Sequence, residues 1–402
     1  MSEFFGTTMP KLGFGLMRLP RLADGKTYDI EQCEKMTDAF LAAGMRYFDT
    51  AYVYEGSEEA TRRFLVERHP RESFFLADKV NASPWAAKSA EEAKRQLGVS
   101  LVRTGAGYFD FYLLHALSSR NIGYYEDYGI WDFVSKAKEQ GLVRHVGFSF
   151  HDRPDVLDEI LTRHPEAEFV QLQLNYGDWE SPSVCSRENY EVAVAHGKPV
   201  VVMEPVKGGL LANPPQQVQD ILRAANPGTS IASWAVRFVA SLDNVMVVLS
   251  GMSNVEQMED NLSYMREFRP LDAAERDAVE RASRALAAIE QVPCTGCHYC
   301  TGGCPKRIDI PSIFSAYNRY LVYGDLTAQS AAMRRQWPSV ARLATACGVS
   351  SARAPVRSIS RSPRGWRRPR RCWSRAAWLE PAGALRPSPR TSPRANRPPA
   401  GI

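Results

Sequence analysis

No stretch of this 402-residue chain reaches the roughly 18 consecutive apolar residues of a membrane-spanning helix. Met1 to Pro10 has neither a basic n-region nor an apolar h-region, so no secretory signal is expected and the cytoplasm is the expected location. Lysine is missing from residues 351–402 and acid nearly so: that tail holds 13 Arg against one carboxylate, Glu380. The tail therefore carries +12, and residues 1–350 carry −7, behind a net charge of only +5. A mildly acidic body excludes a global nucleic-acid footprint. Glycine is absent where a dinucleotide-binding fingerprint would need its third one, after Gly13 and Gly15. Cysteine is sparse outside one place: Cys33, Cys185, Cys347 and Cys372 stand alone, and the other four lie between residues 294 and 304.

What the chain does have is 44% hydrophobic and 24% charged residues, ordinary for a globular protein. Strand-like and helix-like stretches alternate. Strands are expected at 11–17, 45–49, 73–79, 109–115, 143–150, 169–174, 199–204 and 245–249. Between and after them helices are expected at 29–43, 58–68, 86–97, 125–140, 154–163, 183–196, 230–240 and 254–267. Eight such units match a (β/α)8 TIM barrel of about 250 residues; a doubly wound open sheet is the alternative. The expected organisation is α/β: a barrel over residues 1–270, a connecting helix at 271–291, a small helical segment at 292–345 and a basic tail at 346–402. Nine Pro and 13 Arg in residues 351–402 bury too little apolar surface to offset chain entropy, so this tail reads as disordered.

The run Tyr108-Phe109-Asp110-Phe111-Tyr112-Leu113-Leu114-His115 reads as a strand buried on both faces. Its terminal histidine falls where barrel enzymes place their chemistry. Asp49, Tyr54 and Lys79 occupy comparable positions at or just past two earlier strands. Alone, each has an ordinary structural reading: a cap, a loop aromatic, a surface lysine, a satisfied core histidine. Together they are the set that carbonyl reduction by a nicotinamide requires. A tyrosine donates the proton, a lysine ammonium lowers its pKa from about 10, a buried carboxylate holds the lysine, and a histidine orients the carbonyl oxygen.

In these residues the chain resembles the aldo/keto reductases. The matching motifs, in order, are Phe48-Asp49-Thr50-Ala51 with Tyr54, Asp78-Lys79, and Asp110 to His115. The resemblance spans about residues 8–345 and implies NADP or NAD as cofactor and a small carbonyl compound as substrate. It implies Tyr54 as general acid, with Lys79, Asp49 and His115 in the supporting roles. It further implies nicotinamide contacts from Gly147-Phe148-Ser149 and Gln171, and contacts to the adenosine phosphate end from Gly251, Ser253, Asn254 and Asn261. Three departures stand out. Phe150 and His151 follow Ser149 where Asn is usual, Met203 replaces a stacking aromatic, and Gly251 and Gln257 replace residues that grip a 2′-phosphate. They leave NADP versus NAD open and resemble the branch of the family with C-terminal iron–sulfur motifs. A protein of a different class, an electron carrier or scaffold whose barrel binds nicotinamide without turnover, is the alternative.

Cys294-x2-Cys297-x2-Cys300-x3-Cys304-Pro305 has the bacterial ferredoxin spacing for a 4Fe–4S cluster. Four thiolates also suit tetrahedral zinc. A redox partner at the cluster is expected if it passes electrons; no membrane is expected, and the tail, despite Trp366, Trp373 and Trp378, is not expected to bind nucleic acid. Related reductases carry a second cysteine run further on, and here only Cys347 stands near its place. The composition beyond about residue 348 is that of a GC-rich gene read out of frame.

Overall fold

The structure, a computed structural model, describes residues 2–292 and 310–323. Cys294, Cys297, Cys300 and Cys304, the rest of the segment expected at 292–345 apart from residues 292 and 310–323, and the Arg/Pro-rich tail lie outside the described residues. The chain opens with a two-stranded antiparallel hairpin, β1 (Ser2–Phe4) and β2 (Thr7–Met9). Eight parallel strands follow: β3 (Leu12–Gly15), β4 (Tyr47–Asp49), β5 (Phe75–Val80), β6 (Phe109–Leu117), β7 (Val143–Phe150), β8 (Phe169–Gln173), β9 (Val200–Met203) and β10 (Val245–Ser250). Each pairs with its neighbours in sequence, and β10 returns to β3, closing the barrel. A doubly wound sheet is thereby excluded.

The helices are α1 (Ile30–Ala42), α2 (Ser57–Thr61), α3 (Ala90–Thr104), α4 (Ile122–Asp127), α5 (Ile130–Glu139), α6 (Pro154–Arg163), α7 (Ser186–Ala195), α8 (Gln216–Ala225), α9 (Ile231–Ala240), α10 (Val255–Met265), α11 (Ala273–Ala287) and α12 (Ile310–Tyr323). Many begin at side-chain caps legible in the sequence. Asp29, Ser89, Ser230, Asn254 and Asp272 each accept from a backbone N–H in the first turn, satisfying donors that a helix start leaves orphaned. The single helix expected at 125–140 is instead two, α4 and α5, because Gly129 takes a left-handed φ of 59° between them. Helix α8 adds to the expected set; its start sits behind Pro214 and Pro215, which read as loop.

Three apolar layers hold the fold. The barrel interior is filled by Tyr47, Ala77, Phe111, Leu113, Phe169, Val201, Met246 and Val247. The hairpin closes its N-terminal end: Phe5 stacks on His145 at 4.2 Å, and Met9 joins the interior cluster. A second layer lies between strands and surrounding helices. A third joins α8, α9 and α11 to Val322 of α12, so α11 packs back against the barrel's own helices. The Asn318 amide bonds both backbone groups of Val292, at 2.7 and 2.8 Å, tying α12 to the end of the preceding segment. Among the described residues no helix is long and apolar enough to cross a membrane.

Gly13 and Gly15 separate two uses of a small residue. A Cβ on Gly13 would stand 2.6 Å from Val247 and 2.8 Å from Leu249, so close barrel packing, not a ligand, excludes a side chain there. Gly15 lines the groove at the barrel mouth, where a missing side chain leaves the backbone open to close approach.

Candidate active site

The C-terminal ends of the strands bring the four candidate residues to one mouth. Asp49 ends β4, and register pairs it with Ala77, two residues before Lys79 on β5. Both side chains point inward and are buried. The Lys79 ammonium donates to Asp49 Oδ1 at 2.5 Å and to the Thr50 carbonyl at 2.6 Å. Gln171 on β8 donates to the other Asp49 oxygen at 3.3 Å. The loop after β4 is pinned at both ends. The Thr50 and Tyr52 amides donate to Ala77 and Lys79 carbonyls, and a turn from Ala51 fixes Tyr54. The Lys79 nitrogen then lies 5.1 Å from the Tyr54 ring centre.

His115 reaches the same place through a break in strand pairing. Leu114 pairs with Phe148 but Leu117 pairs with Phe150, so β6 holds one extra residue there. Ala116 takes a left-handed φ of 57°, and its amide donates to Ser149 Oγ at 2.7 Å. Such a bulge re-aims a side chain, and the imidazole meets the Tyr54 ring edge-on at 5.7 Å. Its carbonyl accepts from the Tyr125 hydroxyl at 2.6 Å. His115 Nδ1 is buried without a partner among the described residues. A bare nitrogen is the less costly one to bury unpaired, which leaves the ring proton on Nε2, at the edge facing the groove.

Burial decides the charge states. It acts against the Lys79 ammonium, but Asp49 and Tyr54 outweigh it and the pKa of Lys79 rises. Burial and the nearby Lys79 and His151 push His115 well below the usual imidazole range, so it is neutral. Tyr54 departs from expectation. Burial raises its pKa more than Lys79 lowers it, and the net direction is upward. The phenol is thus held protonated, with an ammonium beside it that would stabilise a phenolate.

On the outer face of β5, Asp78 is fully buried against Glu58, whose other side meets Arg103 at 2.8 Å. One oxygen each of Asp78 and Glu58 accepts from no donor among the described residues, and burial with Glu58 beside it pushes Asp78 well above the carboxylate range. A raised folded-state pKa means stability is lost as pH climbs from the unfolded value, about 4, through the folded one. Asp78→Asn removes that ionisation and is expected to stabilise the protein by about 1 kcal/mol at pH ~8 and by less at pH ~5. Urea midpoints at the two pH values measure it; a lower midpoint than the parent's at the higher pH contradicts it.

The groove over this mouth is about 720 Å³ and is lined by Asp49, Tyr54 and His115 at one end. Ser149, Gln171, Met203, Gly251, Ser253, Gln257 and Asn261 line the same groove; Lys79 lies beneath it. With Asn254 these expected nucleotide-contact residues are brought to one surface, whereas Gly147 and Phe148 do not line it: the Phe148 side chain packs in the layer between strands and helices. At the far end the N-terminus of α10, capped by Asn254, carries the positive end of a helix dipole, suited to phosphate. Gln257 Oε1 accepts from the Ser253 amide at 2.7 Å, and Asn261 donates to the Gln257 carbonyl at 2.7 Å.

Residues 11–284 match the sequence model of the Aldo/keto reductase family. The chain belongs to this family. An aldo-keto reductase of Mycobacterium avium (strain 104) is 30% identical over 255 residues, covering 63% of this chain and 80% of that protein. One from Mycolicibacterium vanbaalenii is 31% identical over 259 residues, 63% and 82% of the two chains. The solved aldo-keto reductase of Bacillus halodurans, holo form, superposes with a TM-score of 0.56 at 26% identity, covering 69% of this chain and 93% of that one. A Klebsiella pneumoniae aldo-keto reductase solved in complex with NADPH shares the fold at 22% identity, with a TM-score of 0.53 and coverage of 68% and 90%.

Several groove residues of this reductase have no role assigned by sequence reasoning. His151 lines the groove, and its ring has no hydrogen-bond partner among the described residues; in the sequence it stands out only as a departure from the family pattern. Arg18 and Glu204 face each other at 3.8 Å on the lining. The loop after β9 contributes Glu204, Pro205, Val206, Gly208 and Gly209. Glu204 and Lys207 there have left-handed φ of 57° and 50°, each costing about 1–2 kcal/mol for a residue other than glycine. The run Met203-Glu204-Pro205-Val206-Lys207-Gly208-Gly209 signals a turn but not which residues take strain.

Proposed function

We propose that this oxidoreductase catalyses reversible, nicotinamide-dependent reduction of a small aldehyde or ketone at the barrel mouth. The supporting observation is the buried Lys79 ammonium, held by Asp49 and Thr50 beside a protonated Tyr54 and a neutral His115. The donors fit the cofactor. A largely apolar groove with polar side chains along it runs from this cluster to a helix N-terminus, and His115 lines it with Nδ1 buried away from any partner among the described residues. NADP or NAD, when bound, supplies the hydride. Ser149, Gln171 and Met203 would hold the nicotinamide end, and Gly251, Ser253, Gln257 and Asn261 the adenosine phosphate end. Ser149 and Gln171 are themselves fixed by Ala116 and Asp49.

The chain's own part is proton transfer and orientation. His115 Nε2–H hydrogen-bonds the carbonyl oxygen and fixes its approach. Tyr54 gives its hydroxyl proton to that oxygen as negative charge builds there. Lys79 stabilises the resulting phenolate, and Asp49 keeps the ammonium in place. A burial-raised Tyr54 stays protonated through neutral pH, and His115 contributes no inflection near its ordinary 6.5. The test is consumption of NADPH or NADH by purified protein with a panel of aldehydes; NADPH is the first to try, since the Klebsiella pneumoniae protein of the same fold was solved with it. No consumption with any aldehyde and either nucleotide overturns the reading.

We read the cysteine run Cys294, Cys297, Cys300 and Cys304 as the ligands of a 4Fe–4S cluster, from donor chemistry and spacing. Among the described residues no other group of His, Cys, Asp or Glu could hold a metal. Anaerobically purified protein is expected to contain about four irons and four acid-labile sulfides per chain. Zinc in place of iron, or neither, rejects the assignment.

A further inference from the structure

We propose that Asp178 and Lys207 are positioning residues for the nucleotide groove: their ion pair holds the loop after β9 in a conformation it does not favour alone. The proposal rests on reading the groove as a nicotinamide nucleotide site. Between Glu204 and Gly209 four residues have left-handed φ: Glu204 (57°), Lys207 (50°), Gly208 (63°) and Gly209 (95°). Two of them are not glycine, so local preference does not explain the loop. Something outside it must.

That support is one buried carboxylate. Asp178, in the loop after β8, is almost wholly buried. Its Oδ1 accepts from the Lys207 ammonium. Its Oδ2 accepts from the side-chain amides of Asn175 at 3.0 Å and Gln173 at 3.3 Å. The Asp178 backbone amide donates back to Asn175 Oδ1 at 2.8 Å, which fixes the carboxylate in turn. The Asn175 side-chain amide also donates to the Glu204 carbonyl at 3.2 Å. Both strained non-glycine residues are thus gripped by the same cluster, Lys207 through its side chain and Glu204 through its backbone.

Lys207 is also the residue of this loop that turns away. Glu204, Pro205, Val206, Gly208 and Gly209 line the groove, and Lys207 does not. A direct phosphate contact is therefore not its role here; it acts on the groove through its neighbours. The C-terminal helices bear on the same point. Ser283 of α11 donates to the Tyr176 carbonyl at 2.7 Å, Val322 of α12 shares an apolar cluster with Tyr176 and Leu211, and Tyr323 lies close enough to Asp178 to feel its charge.

The test compares Lys207→Met, Asp178→Asn and Lys207→Arg with the parent. It reads the dissociation constants for NADPH and NADH, kcat at saturating nucleotide, and hydrogen exchange of residues 204–212 without nucleotide. The first two variants are expected to weaken binding of the nucleotide the parent prefers about tenfold or more while kcat falls less than about threefold. Loop exchange should quicken about tenfold. Lys207→Arg, which keeps the charge, should return binding to within about threefold of the parent. Unchanged binding, or a fall in kcat at unchanged binding, overturns the proposal. If Lys207→Met does not fold, Lys207→Gln is measured in its place, and the same outcomes support or overturn the proposal. A parent that binds neither nucleotide sinks the nucleotide reading and the positioning role with it. A parent that binds while every variant matches it sinks the positioning role alone.

Discussion

Tyr54→Phe is expected to lower kcat for carbonyl reduction by about 10²–10⁴-fold, the usual contribution of a positioned general acid. Only one oxygen is lost. The ring still meets His115 edge-on and still covers the Lys79 ammonium, so the groove wall and nucleotide affinity should survive. The outcome separates enzyme from scaffold: a nicotinamide-binding barrel without turnover would lose nothing. In the parent, reduction should hold steady across neutral pH and decline only on the alkaline side, as the burial-raised phenol begins to ionise. Stopped-flow rates and nucleotide titrations on parent and variant measure both. An inflection near pH ~6.5 would mean a titrating imidazole and contradict the neutral His115.

Lys79→Met should be the most damaging single change, because it acts on both chemistry and stability. The proton donor loses the charge that stabilises its conjugate base, an effect of about 10²–10³-fold by comparison with loss of one electrostatic donor at a reacting centre. Asp49 is left buried with the Gln171 side-chain amide, at 3.3 Å, as its remaining side-chain donor among the described residues. Breaking a buried pair from one side costs about 3–5 kcal/mol. The deficit has a pH signature. A buried, unpaired Asp49 folds most easily when protonated, and its folded-state pKa already lies above the ordinary carboxylate value. Stability of the variant should therefore fall further below the parent as pH rises. Urea unfolding at about pH 5 and 8 tests this; a deficit that shrinks with rising pH would mean Asp49 is not left charged and alone.

Much of the barrel is legible in the sequence because its signals are periodic or abrupt. The apolar run ending in His115 marks β6, and Asp29 marks the start of α1 to within a residue; the helix expected at 86–97 instead starts behind Ser89 and runs from Ala90 to Thr104. The four polar side chains stand out because each interrupts or follows an apolar strand. The rest depends on what a linear pattern does not carry. The run of residues implies a strand ending at His115, whereas β6 continues to Leu117 through a bulge set by Ala116 and Ser149. Nothing in its immediate neighbours makes Ala116 turn left-handed; the reason is a hydroxyl 33 residues away. The N-terminal hairpin is hidden because Phe5 takes its turn position with a φ of 54°, which favours glycine. The direction of the Tyr54 shift runs against the sequence expectation because a nearby ammonium can be inferred from order along the chain, but depth of burial cannot.

The hairpin has a consequence for traffic through the molecule. With Phe5 and Met9 stoppering one end of the barrel and Tyr47, Phe111 and Phe169 filling its bore, no channel runs along the axis among the described residues. Under the proposed reaction, reactant, spent nucleotide and the proton that would recharge the Tyr54 phenol after each cycle would all use one doorway. Departure and refilling then compete for the same opening, and a slow guest in that doorway would stall every other exchange behind it.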